Sequence, residues 1–269
     1  MHLNFALTSV QILWTVRFAA LLVLLVVLLG RDRINRFPWF TSSIVIAALS
    51  HLVSRLLYGR LPQLTFAGVS IILLDLAAIV SFLVLLEIAY CVFSRASVRA
   101  RALGAAVLLA IGAIVLIKWG PWPALATLKP TTSLSMLGLL QLIAEKLSLL
   151  NSVLTIGLGL LVVLLGRRFG SGIRSHAQQI VVGLSVVALS QIAVQLIWQY
   201  VALHTVPKTL DEYHHVLDLK DKLINANDSI YAVVVIGWIL CLWFNEPGTK
   251  SAAALEAPAT TELPSQPES

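Results

Sequence analysis

Residues 67–93 read AGVSIILLDLAAIVSFLVLLEIAYCVF, a stretch long enough to cross a lipid bilayer that nevertheless contains two carboxylates. About 20 predominantly apolar residues in a helix span the hydrocarbon core of a membrane. An acidic side chain inside such a helix is costly and usually faces a partner or a water-filled cavity. The stretch therefore predicts an all-α, polytopic membrane protein, and it makes Asp75 and Glu87 the first residues to consider as functional.

The composition of the whole chain supports a membrane protein. Of its 269 residues, 58% are hydrophobic and 12% are charged, against about 25% charged residues in soluble globular domains. The formal charge is +6, but the basic residues lie in short clusters at the ends of apolar runs. That placement is typical of orientation signals in membrane proteins, so we predict a lipid bilayer as the partner and no nucleic acid.

Seven apolar runs separated by loops predict a seven-transmembrane-helix bundle that fills one domain, residues 1–245. Residues 205–229 are expected to form an extracytoplasmic loop with a short helix on the membrane surface. The tail, residues 246–269, is polar and contains four prolines, which predicts a disordered segment. The predicted helices cover residues 8–29, 39–58, 67–93, 102–118, 134–165, 177–203 and 230–244.

The distribution of arginines predicts the orientation of the bundle. Three arginines follow each of the first, third and fifth helices, whereas the lysines near residue 220 are offset by acidic residues. The positive-inside rule then places the N-terminus outside and the C-terminal tail in the cytoplasm, in a bacterial cytoplasmic (inner) membrane. The arginines that decide the orientation are Arg31, Arg33, Arg36, Arg95, Arg99, Arg101, Arg167, Arg168 and Arg174.

A polar layer in the outer half of the bundle is the candidate site. At 1.5 Å per helical residue, polar side chains on five helices fall roughly 9 to 15 Å below the outer boundary. We predict an outward-facing polar pocket for a small ligand, in which Asp75 balances Arg17 or Arg55. The alternative is that these groups pair with one another and lock the bundle. The predicted cluster comprises Asp75, Arg17, His51, Arg55, Glu145, Gln191, Gln195 and Gln199; the three glutamines are spaced four residues apart and share one helix face.

Three other polar patterns are less specific. We predict that Glu87 reaches the basic interface near residues 95–101, a simpler role than proton relay. The His214–Asp218 and Asp211–His215 pairs have the i, i+4 spacing of metal ligands but lie on helix faces about 100° apart, so no metal site is predicted. The sequence Asn227-Asp228-Ser229 matches a glycosylation motif that is common by chance.

Two family resemblances are limited to topology and a few residues. Seven helices with an outside N-terminus resemble microbial rhodopsins and G-protein-coupled receptors, but the predicted seventh helix contains no lysine for retinal. His51 and Asp75 lie on the helices that supply ligands in the seven-helix zinc hydrolases related to alkaline ceramidases. Ala47 stands where that family has serine, and the predicted seventh helix lacks its histidines. A membrane-embedded metal hydrolase therefore stays a distant alternative.

No catalytic or cofactor motif is recognisable in the chain, so we predict a non-enzymatic protein without a cofactor. The predicted function is a sensor or receptor-like module, or a subunit of a membrane complex, with the polar pocket in its outer half. Such a protein acts through a membrane or cytoplasmic protein partner. The main alternative is a transporter or channel for a small solute or ion, since acidic residues inside a bundle also line transport pathways.

Overall fold

The computed structural model describes residues 9–57, 59–93, 98–118, 133–165, 175–205 and 209–244, and these residues form seven α-helices. Six of the helices are long and apolar enough to cross a membrane, while α4 contains a shorter apolar segment, Gly104–Lys118. The predicted all-helical membrane protein is confirmed at this level. The helices are α1 (Ser9–Gly30), α2 (Pro38–Leu57), α3 (Gln63–Val92), α4 (Val98–Lys118), α5 (Ser133–Leu165), α6 (His176–His204) and α7 (Leu210–Trp243).

The seventh helix is much longer than predicted. Residues 210–229, expected to form a loop with a short surface helix, are helical throughout and continue without a break into the apolar run, so the predicted loop is wrong. Their extracytoplasmic position stays a prediction. The polar start of the helix is stabilised locally: the Thr209 side chain accepts a hydrogen bond from the backbone N–H of Glu212 (3.3 Å), and Lys222 pairs with Asp218 one turn away (2.7 Å). The apolar pattern of the sequence predicts which part of a helix contacts lipid, but it does not predict the residue at which the helix begins.

Six of the helices form a closed ring. In the order α1, α2, α3, α5, α6, α7, each packs against the next, and α7 packs back against α1. Among the described helices, α4 packs against α5 alone, on the outside of the ring. The α3 and α6 helices also touch each other across the ring. This arrangement encloses an interior in which side chains from non-consecutive helices meet.

The buried core occupies one end of the ring, which we call the packed half. It takes the C-terminal parts of α1, α3, α5 and α7 and the N-terminal parts of α2 and α6, including residues such as Leu21, Phe40, Ile88 and Trp238. The other end, which we call the open half, contributes no residue to this buried cluster. The open half consists of residues 9–19, 49–57, 63–79, 133–153, 189–204 and 210–234.

Glu87 holds the start of α2 against α3. The α2 helix begins at Pro38 after Phe37, whose side chain offers no acceptor to the first free N–H groups. Glu87 of α3 supplies it: one carboxylate oxygen accepts from the N–H of Trp39 (3.1 Å) and the other from the N–H of Phe40 (2.9 Å). The negative charge also lies at the positive end of the helix dipole. Glu87 therefore caps α2, while the predicted approach of Glu87 to the arginines at 95–101 concerns side chains outside the described part of the chain.

Several sequence predictions lie outside the described residues. These are the disordered tail 246–269, the basic loops 94–97 and 166–174, and the segment 119–132. The remaining arginine-rich loop, residues 31–36, is described and connects α1 to α2 at the packed end. In this loop the guanidinium of Arg31 lies 5.1 Å from the centre of the Trp243 ring, so the end of α7 is at the same level as the end of α1.

Candidate functional site

The inward face of α6 changes from apolar to polar along its length. Ala177, Val181 and Ala188 face the core and are 5%, 1% and 4% exposed. Gln191 and Gln195 continue the same three- and four-residue spacing towards the open half, so their amides lie on the face that looks into the ring. Gln199 lies one turn further out. Gln191 is exposed and Gln195 is half-buried, and both side chains line a cleft against α7.

The inward face of α7 changes in the same way. Trp238 and Val235 are buried in the core, and the residues at helical spacing before them are Tyr231, Asn227 and Lys220. Antiparallel contacts with α6 hold this face in place, because Asn227 bonds to Ser190 and Lys220 lies over Trp198. We call the inward side of the open half the vestibule. Gln191, Gln195, Asn227 and Lys220 lie on its α6 and α7 sides. We call the residues at its end nearer the packed half the floor; these are Arg17, Asp228, Tyr231 and His51.

An ion pair joins α1 to α7 at the floor of the vestibule. Arg17 lies one turn before the fully buried Leu21, and its guanidinium bonds to the carboxylate of Asp228. The side chains are 19% and 30% exposed, so the pair is largely withdrawn from solvent. The guanidinium also lies 4.4 Å from the centre of the Tyr231 ring, a cation–π contact. The charges of Arg17 and Asp228 both act on the half-buried imidazole of His51.

A cleft between α6 and α7 opens above this floor. Its volume is about 230 Å³, and its lining combines apolar and amide side chains with one ammonium group. Two hydroxyl contacts set the amides: Ser190 Oγ donates to Asn227 Oδ1 (2.8 Å), and Ser152 Oγ of α5 lies 3.3 Å from Gln191 Oε1. The lining residues are Gln191, Val194, Gln195, Trp198, Lys220, Leu223, Ile224 and Asn227.

Asp75 does not pair with Arg17, and within the described residues no ion pair joins it to Arg55, so the predicted pairing is wrong. Asp75 lies one turn before Ala78, whose carbonyl accepts from the amide of Asn151 on α5 (2.6 Å), so Asp75 is on the side of α3 near α5. Among the described residues, one buried oxygen of Asp75 has no hydrogen-bond partner. The carboxylate that Arg17 contacts is Asp228, on a helix that α3 does not touch.

The structure separates two further residues from the Arg17 and Asp228 pair. Glu145 is exposed on α5, where it accepts a hydrogen bond from Gln141 (2.9 Å) one turn earlier. Arg55 is exposed at the outer end of α2, with its guanidinium 5.8 Å from the centre of the Trp14 ring. His51, by contrast, continues the buried spacing of Ile44 and Ala48 into the open half. Of the predicted cluster, Arg17 lies close enough to His51 for its charge to act on the imidazole, and Gln191 and Gln195 line the cleft.

Sequence reasoning missed Asp228, Tyr231, Asn227 and Lys220 because residues 205–229 were treated as a loop. A usable signal was present: counting back from Trp238 in steps of three or four residues reaches all four of these positions. Asn227 of the predicted glycosylation motif lies within α7, and its side-chain oxygen accepts a hydrogen bond from Ser190, so this side chain faces α6.

Within the described parts of the chain, no group of three or more His, Cys, Asp or Glu side chains could hold a metal ion. The absence of a cofactor stays a prediction. Comparison of the chain with protein-family models, with curated proteins and with solved structures finds no match. The function is therefore argued from the geometry of the vestibule.

Proposed function

We propose that this protein is a non-enzymatic receptor-like module, or a subunit of a membrane complex, that takes a small polar ligand from the outside into its vestibule. The observation that carries the proposal is the continuity of the inward faces of α6 and α7. Their buried apolar residues give way to Gln191, Gln195, Asn227 and Lys220 in the open half. Polar groups placed where the core would otherwise continue are costly without a ligand or water to bind.

The proposed arrangement in the membrane has seven spans, with the N-terminus outside and the C-terminus in the cytoplasm of a bacterial cell. Two observations support it. The described arginine-rich loop, residues 31–36, lies at the packed end, which makes that end cytoplasmic by the positive-inside rule. The first turn of α7 at the opposite end carries Asp211 and Glu212. The vestibule then opens outward.

The experiment that tests the vestibule is cysteine labelling in intact cells. In a background with Cys91→Ser and Cys241→Ser, Gln195→Cys is expected to react with a charged, membrane-impermeant thiol reagent added outside. The matched control is Ala188→Cys, which lies two turns deeper on the same face and is 4% exposed. If neither cysteine reacts with the reagent at equal expression, the vestibule is not open to the outside and the proposed function is wrong.

A transporter is the second candidate, and Asp75 favours it. A carboxylate oxygen that is buried without a partner among the described residues is typical of a proton or cation relay inside a membrane bundle. Purified protein in liposomes should then move a solute, and Asp75→Asn should stop the flux. A receptor or assembly subunit shows no flux in either form and instead retains a defined membrane or cytoplasmic partner on gentle solubilisation.

A further inference from the structure

We propose that the ligand of the vestibule is a small soluble carboxylate with an apolar body, held in the cleft between α6 and α7. This inference rests on the proposed function and names its ligand class. Lys220 and the amide NH₂ groups of Gln191 and Asn227 bind the carboxylate. Trp198, Leu223 and Ile224 contact the apolar body.

The amides present donors to the cleft. Ser190 donates to the side-chain oxygen of Asn227 (2.8 Å), and the Ser152 hydroxyl, which donates to the carbonyl of Ser148 (2.9 Å), also lies 3.3 Å from the side-chain oxygen of Gln191. The oxygen of Asn227 is thus engaged by a hydroxyl and the oxygen of Gln191 shares one, so the NH₂ groups are the parts left for a ligand. Neither NH₂ group has a partner among the described residues. Two donors beside an ammonium group are complementary to an anion.

Lys220 is an exposed cation that lies beside an aromatic ring. Its neighbours one turn away on α7 are Val216, Leu217, Leu223 and Ile224, all apolar, and its Nζ lies 5.2 Å from the centre of the Trp198 ring. No carboxylate within the described ranges pairs with it. Lys222, two residues later, differs in this respect because Asp218 neutralises it. The charge of Lys220 is therefore available to a ligand in the cleft.

The volume of the cleft and its apolar side chains limit the size and the polarity of the ligand's body. Its volume of about 230 Å³ lies below the range of about 300–1,000 Å³ for drug-sized ligands. Val194, Leu223 and Ile224 form apolar walls, and Trp198 offers a flat ring at the side. A short aliphatic or single-ring body fits this space, while a fully polar anion such as acetate leaves the walls in contact with water.

The test is a binding titration of the full chain in nanodiscs of zwitterionic phosphatidylcholine, followed by tryptophan fluorescence and thermal unfolding. Hexanoate should bind saturably, acetate more weakly, and hexylamine, which has the same body and the opposite charge, should not bind. Lys220→Gln should weaken hexanoate binding by about tenfold or more, as expected for a lost hydrogen bond to a charged group. Lys222→Gln is the matched control and should change it less than about twofold.

Equal binding of hexylamine and hexanoate would overturn the proposal. An equal loss of hexanoate binding in Lys222→Gln and Lys220→Gln would overturn it as well. Nanodiscs with anionic phosphatidylglycerol should leave the hexanoate titration unchanged. If this lipid weakens hexanoate binding and the effect requires Lys220, the cleft binds a lipid headgroup instead. If no solute binds while Gln195→Cys is labelled from outside, the ligand class is wrong and the vestibule stands. If Gln195→Cys is protected, the proposed function itself fails.

Discussion

At the scale of single residues, the ion pair between Arg17 and Asp228 connects α1 to α7 in the open half. A charge inside a membrane bundle is tolerated when it is paired, and removal of one partner leaves the other desolvated. Arg17 has both a carboxylate and the Tyr231 ring beside it, so its charge is compensated on two sides. Because the pair joins α1 to α7, it closes the helical ring at the level of the vestibule floor.

We expect a double-mutant cycle on this pair to show strong coupling. Arg17→Gln and Asp228→Asn should each lower the free energy of unfolding, and the double variant should lose less than the sum, with a coupling of about 0.5–3 kcal/mol. The control is the exposed pair Lys222 and Asp218, whose side chains are 70% and 56% exposed and whose coupling should be at most about 0.5 kcal/mol. Unfolding in mixed micelles measures both cycles, and equal couplings would contradict the structural role of the Arg17 pair.

At the scale of helices, side chains of one helix supply a hydrogen-bond acceptor or a packing contact that the neighbouring helix does not have. The α2 helix has no N-terminal side-chain acceptor of its own and obtains one from α3. The α6 helix has no side chain at Gly183, and there the Trp238 indole of α7 lies directly against its backbone. Both contacts belong to the packed half, which supports the open half above it.

Substitution of Glu87 tests the cap on α2. Glu87→Leu should lower the free energy of unfolding by about 0.5–2 kcal/mol, the usual cost of a lost N-terminal cap, because the N–H groups of Trp39 and Phe40 lose their acceptor. Glu145→Leu, which removes an exposed carboxylate from α5, is the control and should have little effect. Thermal unfolding in detergent compares the two, and an unchanged midpoint for Glu87→Leu would argue against the cap.

Substitution of Gly183 tests the close contact between α6 and α7. A Cβ atom at this position would lie 2.7 Å from Cε2 of Trp238, inside van der Waals contact, so Gly183→Ala should destabilise the protein by about 1–3 kcal/mol. At Gly138, in α5, no atom lies within 4 Å of an added Cβ. Gly138→Ala should therefore be neutral or stabilising by up to about 1 kcal/mol. A loss of the same size in both variants would mean that helix propensity, and not the indole contact, sets the effect.

At the scale of the whole molecule, α4 decides the topology. Six helices meet the length and hydropathy expected of a span, whereas the apolar part of α4 is limited to Gly104–Lys118 and packs against α5 alone among the described helices. An odd number of spans puts the two termini on opposite sides of the membrane, and an even number puts them on the same side. The proposed seven spans require α4 to cross, with local thinning of the bilayer to match its short apolar segment.

Reporter tags at both termini test this count. We expect the N-terminal tag to be accessible from outside and the C-terminal tag to be accessible from the cytoplasm only. Protease treatment of intact cells and of inverted vesicles gives the two measurements, and a tag in the arginine-rich loop at residue 34 provides a cytoplasmic reference. Both termini on one side would show that α4 does not cross.

The sequence by itself determined the all-helical membrane architecture, because the requirement for about 20 apolar residues per span is a one-dimensional property of the chain. The same regularity, at 1.5 Å per residue, placed Arg17 and His51 at a shared depth. Which carboxylate meets Arg17 was decided only by the tertiary structure. Depth says nothing about the direction in which a side chain points around its helix, and the neighbours of each helix follow from the ring order. Asp75 therefore matched Arg17 in depth, while Asp228, on a polar stretch that looked like a loop, forms the contact.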